Sequence, residues 1–330
     1  MNRGYFLTSA AALAATSNAS FAAFPVTMQR PPKLLAGDKV GLIAPASPPQ
    51  GNDVELSVRH VEALGLRPVF GRYVDARRGY LAGSDDERAA DFNAMARDPD
   101  VRAIVAIRGG YGTMRILPEL DYEALRRDPK IVMGFSDFTA ILDAVALRSG
   151  IITFHGPLGA HGSSWSGRAR AYIETLLMHA GIPRPLAPTD AQHIASGRAT
   201  GRLAGGNLSI IAGLVGTPYA IPFSDTVIFF EETEEAPYRI DRMLTQLSLA
   251  GDLRAARGFM VGQCTKCEDE EADSAASVIA QRLRETGRPA LAGAPVGHIP
   301  TQWVLPIGLR VELDADAGKL VFLEPAVSER

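Results

Sequence analysis

The chain is predicted to be an α/β protein, with a parallel sheet flanked by helices in its first half and a second, smaller α/β unit behind it. Three observations predict this. Apolar, β-branched runs at 39–45, 101–107 and 131–133 alternate with helically periodic stretches at 53–64, 85–96 and 138–147. The runs are apolar nearly throughout, as strands covered on both faces are. The same alternation resumes after residue 201. Strand–helix–strand order requires crossovers, and crossovers give parallel pairing with helices on both faces.

Taken in order, Lys39-Val40-Gly41-Leu42-Ile43-Ala44-Pro45 is the first strand, stopped by the turn chemistry of Ala46-Ser47-Pro48-Pro49. Val54, Val58, Val61 and Leu64 recur at helical spacing, and Gly65 stands at the stop position. Arg67-Pro68-Val69-Phe70 reads as the next strand, 85–96 as a helix and Val101 to Ile107 as a buried strand. Ile131-Val132-Met133 and the helix over 138–147 complete a first domain at 38–160. Gly, Ser, Pro and Arg dominate 161–200, which reads as a linker or interdomain crossing. The second domain, 201–330, carries strands at 226–230, 258–262 and 309–313 and helices at 238–249 and 272–285.

Composition narrows the function classes. A hydrophobic fraction of 46% and a net charge of -3, with no basic stripe interleaved with aromatics, exclude an ordinary nucleic-acid partner. No apolar run beyond the N-terminus is long enough to span a bilayer. Residues 1–23 read as a signal peptide: Arg3, an apolar core from Phe6 to Ala15, then small residues around Ala19-Ser20-Phe21-Ala22-Ala23. Export to the periplasm or exterior is expected, or a cytoplasmic location if this segment is not cleaved. The two cysteines, Cys264 and Cys267, are too few for a structural zinc site. They read as two loop thiols or as one small disulfide.

The chemistry centres on Gly134-Phe135-Ser136-Asp137, which follows a strand and opens a helix. Such a turn lifts a serine hydroxyl clear of the sheet, although an N-cap serine looks the same in sequence. The N–H of Asp137 would point at a developing oxyanion. Arg108-Gly109-Gly110-Tyr111-Gly112 also lies at a strand's carboxyl end, where open sheets bind ligands, and Gly109 or Gly110 could supply a second donor. Six histidines compete for the base. His60 and His179 read as surface helix residues and His193 as a loop residue; His155 and His161 lie near a strand end, and His298 in a turn-rich loop. Glu231, directly after the strand at 226–230, is a candidate orienting acid, with Glu232, Glu234 and Glu235 as competitors. Arg108, Arg239 or Arg242 could hold a substrate carboxylate.

These stretches, together with Gly41-Leu42-Ile43-Ala44-Pro45-Ala46-Ser47, Gly205-Gly206-Asn207-Leu208-Ser209, Phe229-Phe230-Glu231-Glu232, Pro237-Tyr238-Arg239-Ile240-Asp241-Arg242-Met243-Leu244 and Gly297-His298, resemble the LD-carboxypeptidases, or muramoyltetrapeptide carboxypeptidases, in the family's order. The resemblance implies a flavodoxin-like first domain and a smaller swivelling β/α second domain. It implies a triad of Ser136, Glu231 and His298 assembled across their interface, with no metal or cofactor. A homodimer acting on murein tetrapeptides, cut before the terminal D-alanine, is the implied state and substrate. Some relatives instead hydrolyse peptidyl-nucleotide antibiotics, for which Trp165 could stack the base, although it reads better as a packed anchor. A non-catalytic periplasmic peptide-binding protein is the reading from a different class.

Overall fold

The computed structural model describes residues 23–268 and 274–330. Its first half runs β1 (Lys39–Ile43), α1 (Asp53–Ala63), β2 (Arg67–Phe70), α2 (Asp85–Arg97), β3 (Val101–Ala106), α3 (Thr113–Ile116), α4 (Tyr122–Arg127), β4 (Ile131–Gly134), α5 (Thr139–Ser149) and β5 (Thr153–His155). These strands pair in parallel in the order β2-β1-β3-β4-β5. The order reverses between β1 and β3, so the loops leaving β1, β3 and β4 open a crevice at the carboxyl edge. Local chemistry sets the helix ends. Ser84 and Glu87 form a reciprocal capping box at α2, Asp121 accepts from Ala124 N–H at α4, and Gly150 ends α5 in the left-handed region.

The chain continues through α6 (Gly167–Met178), β6 (Gln192–Ala195), β7 (Arg198–Asn207), α7 (Leu208–Leu214), β8 (Thr226–Thr233), α8 (Pro237–Leu249), α9 (Asp252–Ala255), β9 (Gly258–Thr265), α10 (Ala275–Arg284), β10 (Ala290–Ala292), β11 (Leu305–Ile307), β12 (Arg310–Asp314) and β13 (Lys319–Phe322). The second sheet has the order β13-β12-β7-β8-β9-β10-β6. Its centre, β7 to β10, is parallel, and β12, β13 and β6 are antiparallel additions.

Two features depart from the division expected from sequence. The 161–200 segment carries structure of its own. Ile173, Leu176 and Leu177, at helical spacing, bury α6 in the first domain's core, while β6 closes the far edge of the second sheet. β11, from well past residue 201, pairs antiparallel with β5 and adds a sixth strand to the first sheet. Nearby, the segments around residues 29–33 and 328 clasp the same body: Gln29 N–H donates to Gly150 O at 2.7 Å, and Lys33 N–H to Ser328 O at 2.9 Å. Helix α5 is buried almost all round because β4 and β5 lie on one side and β7 and α7 on the other.

The leader expected at 1–23 lies outside the described residues apart from Ala23, as do Ala272 and Asp273 of the expected 272–285 helix. Among the described residues, no helix is long and apolar enough to cross a membrane.

Candidate active site

Ser136 occupies the turn that leaves β4. Phe135 is extended, Ser136 takes φ +62°, and one 3-10 turn, Ser136–Phe138, leads into α5. Gly134 is required here, because a Cβ would stand 2.5 Å from the Phe138 ring folded back over it. The turn is tied to the loop after β3. Thr113 N–H donates to the Asp137 carboxylate at 2.9 Å, and the Thr113 hydroxyl donates to the Asp137 carbonyl. Burial raises the Asp137 pKa against these hydrogen bonds. Gly109 lies directly against the serine, where an added Cβ would be 3.2 Å from Ser136 Oγ. Gly110, at φ +113°, passes so close to Ser47 that a Cβ would meet its hydroxyl at 2.2 Å. Buried Arg88 donates to the carbonyls of Pro45 and Gly112, joining the loops that leave β1 and β3.

The histidine and carboxylate that meet Ser136 come from the second half of the chain. His298 Nε2 is 3.0 Å from Ser136 Oγ, and His298 Nδ1 is 2.8 Å from Glu231 Oε2. A carboxylate oxygen accepts, so Nδ1 carries the hydrogen and Nε2 is left to accept the serine proton. Glu231 is fully buried near the end of β8. Strand alternation sends its competitor Glu232 to the other face, where it accepts from Asn207 Nδ2 at 2.9 Å and from Ser209 N–H at 2.8 Å. Glu234 and Glu235 pair instead with Lys266 and Arg239. Gly297 has no room for a side chain, since a Cβ would stand 2.8 Å from Glu231 Oε2. Burial disfavours a charged His298, but the hydrogen bond and charge of Glu231 outweigh it, and the His298 pKa is raised.

The other candidates fall elsewhere. His155 is completely buried in β5, edge-on to Phe135 and Phe229, and desolvation lowers its pKa to about 4. His161 is 3.3 Å from Gln302 Nε2. His60 was expected on the surface; it is half-buried, stacked on Trp165 with its Nδ1 2.7 Å from Gly159 O. His179 and His193 are exposed, and His193 belongs to β6 rather than a loop. Trp165 is buried and donates to Leu158 O at 2.8 Å, so it is an anchor. Arg108 reaches Asp53 at 3.4 Å and stays partly exposed beside the glycine loop. Arg239 is exposed on the first turn of α8, against Glu235 and the Tyr238 ring, where Arg242 also lies. Cys264 and Cys267 are free thiols. Thr113, Ser47 and Phe135, whose ring lies 4.9 Å from that of His298, were not singled out from sequence as parts of the site. Nothing in their local pattern distinguishes them.

The family model of the LD-carboxypeptidase N-terminal domain matches residues 40–156, and that of the C-terminal domain matches 200–313. A probable murein peptide carboxypeptidase of Bacillus subtilis is 36% identical over 311 residues, covering 91% of this chain and 96% of its own. The murein tetrapeptide carboxypeptidase of Pseudomonas aeruginosa is 32% identical, covering 84% of this chain and 94% of its own. Among solved structures, the microcin C7 self-immunity protein shares the fold, with a TM-score of 0.82 at 23% identity over 91% of this chain and 99% of that one. Both domain models match in order, and the paired histidine and serine lie one in each matched segment. The chain belongs to the LD-carboxypeptidase family of serine peptidases.

Proposed function

We propose that this protein hydrolyses the L,D-peptide bond that releases terminal D-alanine from murein tetrapeptides, with Ser136 as nucleophile, His298 as base and Glu231 as the acid that orients it. The observation that carries the reading is the unbroken relay Ser136 Oγ to His298 Nε2, His298 Nδ1 to Glu231 Oε2, at 3.0 and 2.8 Å. His298 takes the hydroxyl proton as Oγ attacks the carbonyl of the L-centre, and Glu231 stabilises the imidazolium that forms. The N–H groups of Asp137 and Gly110 are assigned to the oxyanion, each worth about 3 kcal/mol. His298 then returns the proton to the leaving amine, and water releases the acyl group from Ser136.

A carboxypeptidase must also hold a free carboxylate. Arg108 is the better placed of the two arginines singled out, because it stays partly exposed beside the Gly109–Gly110 turn and, among the described residues, its side chain pairs only with Asp53, at 3.4 Å. Arg239, exposed at the rim, is the second. Hydrolysis of a peptidyl nucleotide is less well supported, since Trp165 is packed on His60 and has no free face for a base. The reading includes export, on the strength of residues 1–23, and a homodimer, on family resemblance. Sequencing the mature N-terminus and light scattering test those two parts.

Mass spectrometry of a murein tetrapeptide incubated with the wild type and with Ser136→Ala is the direct test. Loss of one alanine with wild type only is expected. Equal loss with both would remove Ser136 from the role. Labelling by a fluorophosphonate, absent in Ser136→Ala, separates a hydrolase from a non-catalytic binding protein.

A further inference from the structure

The chain's two cysteines sit on the turn that ends β9. Cys264 pairs with Glu232 in the β8–β9 ladder, one residue from Glu231. Lys266 then takes φ +56° and turns the chain back. Cys267 Sγ comes to 3.5 Å from Thr265 O, and its thiol is near enough to that of Cys264 for each to shift the other's pKa. Both side chains line one cavity of about 210 Å³, with Val261, Ile279 and Ala292. Cys264 is half-buried and Cys267 is buried. Contact with Cys264 holds the Cys267 thiol below its ordinary pKa, whereas the same contact and burial push Cys264 up. The thiolate of the pair therefore belongs to Cys267.

The residues on either side of Cys264 carry the His298 loop. Gln263 N–H donates to Val296 O at 2.9 Å, and Gln263 Nε2 donates to Ala294 O at 3.1 Å. The Thr265 hydroxyl donates to His298 O at 3.3 Å, and Thr265 O accepts from Glu234 N–H at 2.9 Å. A disulfide draws two sulfurs to about 2.05 Å with a fixed dihedral, closer than two thiols in contact. Closing Cys264 onto Cys267 must therefore tighten the turn at Thr265, and Thr265 holds the His298 backbone.

We propose that Cys264 and Cys267 form a dithiol modification site, oxidised by a small-molecule or protein disulfide, whose closure displaces His298 from its position on Ser136. The Cys264 thiol, the more exposed of the two, passes its proton to the Cys267 thiolate as it attacks one sulfur of the incoming disulfide, forming a mixed disulfide and expelling one thiolate. Cys267 then gives that proton to the expelled thiolate, and its own thiolate attacks the Cys264 sulfur and expels the second. Two thiols give up two protons and two electrons, and the co-reactant leaves as two thiols. Oxidation at the pair stands independently of the proposed activity; its effect on rate rests on His298 being the base.

The test uses the full chain, reduced and then incubated with oxidised glutathione. Trypsin cuts after Lys266, between the two cysteines, so an intramolecular bond joins two tryptic peptides that otherwise separate. The expected result is joined peptides, no thiol left for iodoacetamide, and a several-fold fall in tetrapeptide hydrolysis that dithiothreitol reverses. Cys264→Ser, at the half-buried position, should hydrolyse at the basal rate and lose the response. Thiols that still alkylate, or only glutathione adducts or linked chains, would overturn the site. Complete disulfide with unchanged hydrolysis would overturn its coupling to His298. A fall in hydrolysis that persists in Cys264→Ser would place the response elsewhere.

Discussion

At Ser136 the backbone sits at φ +62°, a region that costs a residue with a Cβ about 1–3 kcal/mol and is held by its surroundings. Packing supplies that hold, through Phe138 over Gly134 and the Thr113 hydrogen bonds to Asp137. Ser136→Gly should therefore unfold with about 1 kcal/mol more stability than Ser136→Ala, both variants being inactive. A chemical denaturation series measures this, and equal midpoints would mean an unstrained turn. His298 gives a pH prediction. Its folded pKa lies above the ordinary 6.5 because Glu231 outweighs desolvation. The acid limb of kcat/KM should fall at that raised value, where the base becomes protonated. Its contribution to stability is full below 6.5 and is lost as pH rises through the folded value. Glu231→Gln should move the imidazole titration seen by NMR toward acid and lower kcat by about ten-thousand-fold, as removing a triad acid does. An unmoved titration would separate Glu231 from His298.

At the level of elements, α5 is the one most enclosed, and it carries the serine turn at its start. Asp143 lies on it completely buried, with neither carboxylate oxygen hydrogen-bonded to another described residue. Desolvation raises its pKa well above 3.8, so the folded state binds that proton more tightly than the unfolded state. Stability accordingly falls as pH rises from 3.8 toward the folded value. Asp143→Asn should flatten that slope and gain about 1–3 kcal/mol at pH values above the folded pKa. Melting curves at acid and alkaline pH decide it, and a parallel slope in the variant would assign the dependence to another group. The same element shows how much was legible. Its existence followed from periodicity, but the 3-10 turn that precedes it and the second sheet that covers it did not. Gly205 and Gly206 illustrate the gap. They were read as a motif, whereas their reason is spatial: a Cβ would meet Phe229 O at 1.8 Å and the Thr139 side chain at 2.4 Å.

For the whole molecule, the two sheets are interlocked rather than joined by a single tether. β11 leaves the second half to pair with β5, α6 packs into the first core, and the segments around residues 29–33 and 328 close on the first body. Ser136 stands on one sheet while Glu231 stands on the other, so the site exists only while both are docked. The chain should therefore unfold in one calorimetric transition, with equal calorimetric and van't Hoff enthalpies, and loss of hydrolysis should coincide with it. Two resolved transitions, with activity lost in the first, would show that the halves separate before either unfolds.

The sequence by itself determined the strand and helix alternation, the serine turn after β4, the glycine loop after β3 and the class of chemistry that a serine, a histidine and a carboxylate can perform. These are legible because they rest on local periodicity and turn chemistry, which act over a few residues. Residue physics left the acid open among Glu231, Glu232, Glu234 and Glu235, and the base open among six histidines; only the family resemblance chose between them. The tertiary structure decided which of them meet. His298 lies 162 positions from Ser136, and Glu231 lies 67 from His298. Such contacts depend on how two sheets dock and on which strand face each carboxylate takes, and no local pattern encodes either.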